Sequence, residues 1–284
     1  MPQSSHPFHR AARVGGVLLV ALSALGVVGC SSSKSAQESL DELHLSDDPK
    51  VVVATAVERL DPTVVLGHDL VSDYLRVKFA LRGYSWADAA CAVDRVRTTV
   101  TSERLDVMPL ARIDDLAYDV PGLEADLRTC ASPESLARLD QKPDRSTTTT
   151  KGQPRPTAAT DIDGATVTRM SKAFYALTAK DIGLTTKERD CMFDAAFGGR
   201  SDDDMVKLLL GVIPTSIEQT AAGVAACLST DRFDKITPIA AKELLARKDA
   251  VDSEHARVQA LLDASVASST TTTVASSPAT SAAG

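Results

Sequence analysis

Five cysteines constrain this 284-residue chain more than any other feature, because their positions separate one cysteine from two matched pairs. Cys30 ends an apolar N-terminal segment, whereas Cys91 with Cys130 and Cys191 with Cys227 enclose two stretches of similar length. Neither stretch contains a Cys-x-x-Cys element or a histidine, so a zinc site is not expected. In an exported chain, four such cysteines predict two disulfides rather than metal binding.

The N-terminal segment predicts export and a membrane anchor. Residues 1–29 contain two arginines, no acidic residue and an apolar stretch over 14–28, which is shorter than the ~20 residues of a membrane-spanning helix. The Val-Val-Gly sequence before Cys30 resembles the lipobox of bacterial lipoproteins. The resemblance implies that 1–29 is a signal peptide, that Cys30 is lipidated after cleavage, and that the protein lies on the extracytoplasmic face of the cell membrane. An ordinary signal peptide followed by an incidental cysteine is the alternative.

The charge of the mature chain argues against nucleic acid as a partner. Without residues 1–29, two of the 31 basic side chains are lost, so 29 remain against 38 acidic ones and the net charge is −9. No segment concentrates Lys and Arg, which also argues against electrostatic binding to anionic lipid. The expected membrane contact is therefore the lipid on Cys30.

Composition divides the mature chain into ordered and disordered parts. Residues 30–48 predict a tether, 141–165 a linker rich in Thr and Pro, and 265–284 a tail of Ser, Thr and Ala. Such segments hold too little apolar surface to offset the entropy of ordering the chain. The expected ordered parts are a helical module over 49–140 and a second one, with a terminal helix, over 166–264.

The two ordered parts repeat each other at an offset of 100 residues. Alignment of Cys91 with Cys191 matches a helix stop at Gly83 with one at Gly183, then Ser-x-x-Asp with Thr-x-x-Glu, which are capping-box patterns. Apolar positions of the preceding helix match as well: Leu70, Tyr74 and Val77 with Met170, Phe174 and Leu177. This common register predicts an internal duplication.

The duplication predicts an all-α fold of two tandem modules, each closed by one disulfide. Four cysteines allow three pairings. Cys91–Cys130 and Cys191–Cys227 are favoured because each pair joins the second and the last helix of one repeat. Each bond would close a loop long enough to contribute about 4 kcal/mol in the chain-entropy description of disulfides.

Two helices are defined less clearly by the pattern. Residues 51–57 are β-branched enough to suggest a strand, although Pro49 suits a first helical turn. The terminal helix is expected to begin at Pro238 and to continue through Leu261, with a break near Asp249.

Acidic groups are the first place to search for catalysis or metal binding. Asp161 and Asp163 resemble the opening of a calcium loop, but the later ligands and the closing Glu of an EF-hand are missing. The run 202–204 suits a helix start, where the helix dipole favours negative charge. Asp114 and Asp115 are interpreted as a solvated helix face without a complementary acid, base or ligand. No metal site is assigned.

Nucleophilic catalysis finds no better support. The chain contains no Gly-x-Ser-x-Gly elbow and no Asn, so a Cys-His-Asn triad is excluded. His68 lies beside a carboxylate, Asp69, and a surface or capping role is expected for it. Trp86 is expected to pack on the preceding helix. No catalytic or cofactor-binding residue is assigned, and no cofactor is expected.

The ordered region as a whole resembles a loosely defined set of actinobacterial envelope lipoproteins in which Cys-paired helical modules are repeated. The resemblance rests on Cys30 with its preceding residues and on the order Gly, Ser/Thr-x-x-Asp/Glu, Cys-x-x-Asp around Cys91 and Cys191. It implies location and fold, and it adds little about chemistry.

Three functions remain open on the sequence. The principal expectation is a non-enzymatic module that binds or organises an envelope protein, polymer or lipid, because paired modules on a linker can engage two sites at a raised effective concentration. The alternatives are a carrier that encloses a lipid or another small apolar ligand, and an envelope hydrolase with an acidic site.

Overall fold

A computed structural model describes residues 48–141, 157–214 and 216–272, with side chains described up to residue 264. Within these residues the chain forms thirteen helices, and its only extended pairing is an isolated bridge between Val65 and Pro109, so the predicted all-α class is confirmed. In chain order the helices are α1 (Pro49–Glu58), α2 (His68–Arg82), α3 (Trp86–Val100), α4 (Ser102–Asp106), α5 (Leu110–Asp114), α6 (Leu116–Asp119), α7 (Leu123–Arg128), α8 (Pro133–Leu139), α9 (Gly164–Asp181), α10 (Thr186–Phe197), α11 (Asp202–Leu209), α12 (Ile217–Cys227) and α13 (Thr230–Thr272).

Two disulfides connect helices within each repeat, and the predicted pairing is confirmed. Cys91 of α3 is bonded to Cys130 in the turn after α7, with 5.6 Å between the Cα atoms. Cys191 of α10 is bonded to Cys227 at the end of α12, with 5.8 Å between the Cα atoms. Each bond therefore fixes the second helix of a repeat to a later one, as the internal alignment implied.

The ambiguous segment near the start of the described chain is helical. The Asp48 side chain accepts a hydrogen bond from Lys50 N, and Pro49 occupies the first turn of α1. Four valines follow, and three of them are at most 7% exposed: Val52, Val53 and Val57. Burial of this apolar surface outweighs the modest helix penalty of β-branched residues.

The hydrophobic side chains form two cores, and each core draws on both repeats. The first combines α2, α3 and α4–α7 with Val167, Met170, Met205 and Leu208 from the second repeat. The second combines α10, α12 and the first half of α13 with the end of α9 and with α1. The two halves of the described chain are therefore interlocked through exchanged helices.

Helix α1 belongs to the second core, although it precedes the first repeat in the chain. Its fully buried Val53 lies in the same core as α12 and α13, the helices against which α1 packs. Arg247 of α13 donates to the backbone oxygens of Ala56 and Arg59 at 2.6 and 2.5 Å, which satisfies carbonyls at the end of α1. The grouping of 49–140 as one module is therefore corrected, because the apolar face of α1 is covered by the second repeat.

Equivalent helices of the two repeats contact each other at the junction of the two halves. Tyr74 of α2 and Phe174 of α9, which the sequence alignment matches, pack edge to face with 5.7 Å between ring centroids. Beside them, Arg169 Nε lies 2.8 Å from Asp73 Oδ2. Contact between equivalent positions is the pattern that a local two-fold arrangement produces.

Ordered structure begins before the expected end of the linker. Ala159 is 2% exposed and its backbone N donates to Ala80 O at 2.8 Å, while Ile162 is also buried. Helix α9 then begins at Gly164, so the expectation that 141–165 is disordered throughout is wrong over its last residues. Apolar side chains within a polar segment supply the burial that fixes it on the first core.

The terminal helix is longer than expected in both directions. Helix α13 is continuous over 43 residues from Thr230 to Thr272, so the expected start at Pro238, the break near Asp249 and the tail boundary at residue 265 are wrong. Phe233 and Ile236 lie before the proline and are buried in the second core, which favours an earlier start. Once formed, a helix gains a hydrogen bond with each added residue, which favours continuation into the Ser- and Thr-rich segment.

Candidate functional site

A carboxylate beside the first disulfide holds two helix N-termini together. The Asp88 side chain accepts hydrogen bonds from Ser132 N at 3.0 Å and from the hydroxyls of Ser132 and Ser135 at 2.6 Å. Desolvation would raise the pKa of Asp88, but these hydrogen bonds outweigh it and hold the pKa at about 2. Asp88 is therefore an ionised acceptor that joins α3 to α8, and Ser85 caps α3 through Asp88 N.

The second repeat contains a related arrangement. Thr185 and Glu188 form the complete capping box that the sequence predicts. Arg232 Nε donates to Glu188 Oε1 at 2.7 Å, and this bond is the main reason that the pKa of Glu188 falls to about 2. At the expected Ser85 box, by contrast, the carboxylate of Asp88 turns toward α8 instead of the backbone of its own cap.

The helix-stop glycines complete this repeated arrangement. Gly83 O accepts from Arg138 Nε at 2.7 Å, and Gly183 O accepts from Arg232 Nη2 at 2.6 Å. Gly83 has φ of 122°, and a Cβ there would lie 3.1 Å from both Arg138 Cβ and Thr157 O. The residues that recur between repeats therefore build turns and helix contacts.

A buried lysine pairs with a carboxylate between α2 and α5. Lys78 is 7% exposed, and its Nζ donates to Asp114 Oδ1 at 2.7 Å and to Asp114 O at 2.9 Å. The Tyr74 hydroxyl donates to the same carboxylate oxygen. Burial lowers the pKa of Lys78, while the charge of Asp114 opposes that effect. The interpretation of Asp114 as a solvated group without a complement is wrong, because a lysine on the apolar face of α2 supplies one.

Asp115 is a carboxylate whose burial raises its pKa to about 6. The nearby charges of Asp114 and Glu254 raise the pKa further, whereas Lys78 and Arg257 lower it. Its side chain is 17% exposed, so the interpretation of Asp115 as solvated is also wrong. A pKa in this range gives Asp115 a mixture of charge states near neutral pH, which is a property that acid–base groups need.

Replacement of Asp115 by Asn is expected to stabilise the protein at neutral pH. Because the pKa of Asp115 is about 6 when folded and ~4 in an unfolded chain, ionisation costs stability as the pH rises from about 4 through about 6. Asp115→Asn should raise the free energy of unfolding near neutral pH by about 2 kcal/mol and have little effect at pH below about 4. Urea denaturation across this pH range measures the difference.

The control for this prediction removes a carboxylate from a solvated position. Asp94 is exposed on α3, so Asp94→Asn should change the free energy of unfolding near neutral pH by much less than Asp115→Asn does. An Asp115→Asn protein that is less stable than wild type near neutral pH would contradict the burial cost assigned to this carboxylate.

Ion pairs connect the distal part of α13 to the same region. Arg257 Nη1 lies 2.6 Å from Asp119 Oδ1, and Arg257 Nη2 lies 3.8 Å from Asp115 Oδ2. Glu254 lies 2.5 Å from Arg257 and 3.9 Å from Arg112. The sequence analysis did not single out these residues, because the i, i+3 spacing of Glu254 and Arg257 is common on solvated helices.

A small cleft lies where the two cores meet. It is lined by Val57 of α1, by Leu60 just after that helix, by Ser171, Phe174, Tyr175 and Thr178 of α9 and by Phe197 of α10. Tyr175 is 5% exposed, and its hydroxyl has no hydrogen-bond partner among the described residues. Near this tyrosine, burial raises the pKa of Glu58, although a hydrogen bond from Thr220 opposes the effect.

The cleft has room for water and little more. It encloses about 20 Å³, whereas ligand pockets typically measure roughly 300–1,000 Å³ and a single water needs roughly 10–15 Å³. No acidic side chain lines the cleft, so Asp114 and Asp115 do not face a pocket there.

The histidine that the sequence singled out pairs with a different carboxylate. His68 Nδ1 lies 2.8 Å from Asp106 Oδ2, and the side chain is 64% exposed. The hydroxyl of nearby Ser72 bonds to groups other than the imidazole. Its Oγ accepts a hydrogen bond from Arg97 Nη2 at 2.6 Å and donates one to His68 O at 3.2 Å. These contacts suit a surface polar cluster at the start of α2.

The other groups singled out by sequence mostly cap or support helices. Asp163 caps α9 by accepting from Thr166 N at 3.0 Å, and Asp161 accepts from Trp86 N at 3.0 Å. Trp86 packs on the preceding helix as expected, because the Arg76 guanidinium lies 4.1 Å from its ring centroid. The run 202–204 begins α11, also as expected. Cys30 and His44 lie outside the described residues.

A metal site, a membrane-spanning helix or a match to a known protein would each indicate a function. Across the described residues, no group of three or more His, Cys, Asp and Glu side chains is placed to hold a metal ion. In the same part of the chain, no helix combines the length and apolarity needed to cross a membrane. Comparisons with family models, curated proteins and solved structures found no match. The class is therefore defined by the chain itself: an all-α protein with one disulfide in each of two interlocked halves.

Proposed function

We propose that this protein is an exported cell-envelope lipoprotein, anchored through lipid on Cys30, whose helical body binds or organises another envelope component without catalysing a reaction. The division of the cysteines carries this proposal. Four of the five form disulfides. The fifth directly follows an apolar segment and the lipobox-like residues Val-Val-Gly.

The disulfides support the exported location. Such bonds persist in oxidising compartments and are uncommon in a reducing cytosol. Lipid on Cys30 would then retain the exported body at the membrane, since two acyl chains give stable anchoring without a spanning helix. Helix α1 follows the proposed tether directly, so the anchor would be connected first to the second core.

The distribution of polar groups favours binding over catalysis. Asp88 and Glu188 hold helices together, and Lys78 forms an ion pair with Asp114. The cleft beside Tyr175 is apolar and too small to enclose an acyl chain, so it gives the carrier alternative no support. The exposed surface of the disulfide-bonded helical body is therefore the part that we propose to bind an envelope partner.

Replacement of Cys30 by Ala is expected to abolish lipidation and membrane retention. In a bacterial host with lipoprotein processing, the wild type should incorporate an alkyne-labelled palmitate and sediment with membranes, whereas Cys30→Ala should do neither. Ser31→Ala, one residue further on, is the matched control and should behave as wild type. A wild type without label, or label that persists in Cys30→Ala, would refute the lipoprotein assignment.

The binding role is tested separately with the anchored protein in whole cells. Photo-crosslinking from exposed helical positions should capture an envelope component reproducibly. A fusion of residues 1–48 to an unrelated soluble domain, with crosslinkers at exposed positions of that domain, provides the control for anchoring alone. Crosslinks that are identical for the fusion and the full chain would overturn the binding role while leaving the lipid anchor intact.

A further inference from the structure

The two halves of α13 are held on the molecule in different ways. In the first half, Phe233, Ile236, Ala240 and Leu244 are buried in the second core. Arg247 is 4% exposed and donates to backbone oxygens at the end of α1. This half is therefore fixed by apolar burial and by hydrogen bonds within the interior.

Beyond Arg247, the burial of α13 ends. None of the described side chains of 248–264 is buried, and none belongs to either core. Val251 and Leu261 are 38% and 40% exposed, and Val258 and Leu262 are half-buried. Apolar burial is therefore weaker here than in the first half of the helix, where Phe233, Ile236 and Leu244 are buried.

Ion pairs hold the distal half on the first half of the chain. Arg257 pairs with Asp119 and lies near Asp115, while Glu254 faces Arg112. These side chains are 17–40% exposed, so salt weakens their attraction, although less than it would weaken that of fully exposed pairs. A helical segment of this length is also marginally stable in water when nothing packs against it.

We propose that residues 248–264 form an ionic strap that detaches from α5 and α6 and unwinds when its ion pairs are screened, while the first half of α13 stays fixed on α1. The same chain then has a closed form and an open form. In the open form, Arg112, Asp115 and Asp119 face solvent, and residues 248–264 are released as an arm. Ionic strength is the variable that selects between the forms.

Hydrogen exchange of the full mature chain tests the strap. Raising NaCl from about 0.1 M to about 1 M shortens the Debye length from ~10 Å to ~3 Å. Exchange in 250–264 should then accelerate roughly five- to tenfold, with no matching change in 232–246. Arg257→Gln should produce the same acceleration at low salt, because it removes the charge that bridges the two elements.

Lys248→Gln is the matched control. It removes one positive charge from the same helix, but its partner Asp252 lies on α13 itself, 2.8 Å from Lys248 Nζ. Exchange of 250–264 should therefore stay close to wild type in this variant. Equal acceleration in Arg257→Gln and Lys248→Gln would overturn the proposal, as would exchange in 250–264 that does not respond to salt. Protection of 232–246 in every variant verifies that the body remains folded.

Discussion

Val53→Asp is expected to unfold the second core, although residue 53 precedes both disulfides and the entire first repeat. Val53 is fully buried, and α1 packs on α12 and α13. The substitution removes apolar burial and places an unpaired carboxylate where solvent cannot reach it. We expect a loss of about 4 kcal/mol or more in the free energy of unfolding, measured by urea denaturation.

The helices in which hydrogen exchange accelerates distinguish this prediction from general destabilisation. Hydrogen exchange should accelerate first in α10, α12 and the start of α13, which share the core of α1. Val107→Asp is the control, because Val107 is 68% exposed and the new carboxylate stays hydrated. If Val53→Asp instead accelerated exchange in α3 to α7 and spared α12, the assignment of α1 to the second core would be refuted.

Removal of either disulfide is expected to destabilise the folded protein by about 4 kcal/mol, because the loops they close are of similar length. The two bonds span sequence separations of 39 and 36 residues. In their absence the unfolded chain gains the entropy that the crosslink removed. The variants Cys91→Ala/Cys130→Ala and Cys191→Ala/Cys227→Ala test the two bonds separately by urea denaturation.

Interlocked cores predict how these variants unfold. Since α1 and α11 each belong to a core formed largely by the other repeat, loss of one disulfide should shift a single transition shared by both halves. Reduced wild-type protein is the control and should be at least as unstable as either variant. Two separate transitions, of which only one moves, would contradict this coupling and favour independent modules.

The parts of the fold that sequence predicted depend on short-range chemistry. Thr185 and Glu188 are three residues apart, so one helical turn brings the hydroxyl and the carboxylate to each other's backbone donors. Internal repetition extended this local knowledge to the disulfides, because equivalent cysteines occupy equivalent helices. The all-α class and both pairings followed from these regularities.

The interpretation of the charged groups failed where partners are distant in sequence. Lys78 and Asp114 are separated by 36 residues, and neither position carries a local signal of the other. A lysine four residues after Tyr74, on the apolar face of α2, was the available hint that a buried carboxylate would be found there. The Arg257 pairs with α5 and α6 depend on where α13 crosses the first half, which no local pattern encodes.

The sequence by itself determined the all-α class, the capping box of Thr185 and Glu188, the two disulfides and the expectation of a lipid anchor at Cys30. Only the tertiary structure decided that α1 packs in the second core and that equivalent helices meet at Tyr74 and Phe174. It also decided that ion pairs connect the distal half of α13 to the first half of the chain. The physical reason is the range of the interactions. Caps and helical faces act over three or four residues, whereas apolar faces are non-directional and pack against whichever complementary surface the whole chain brings to them.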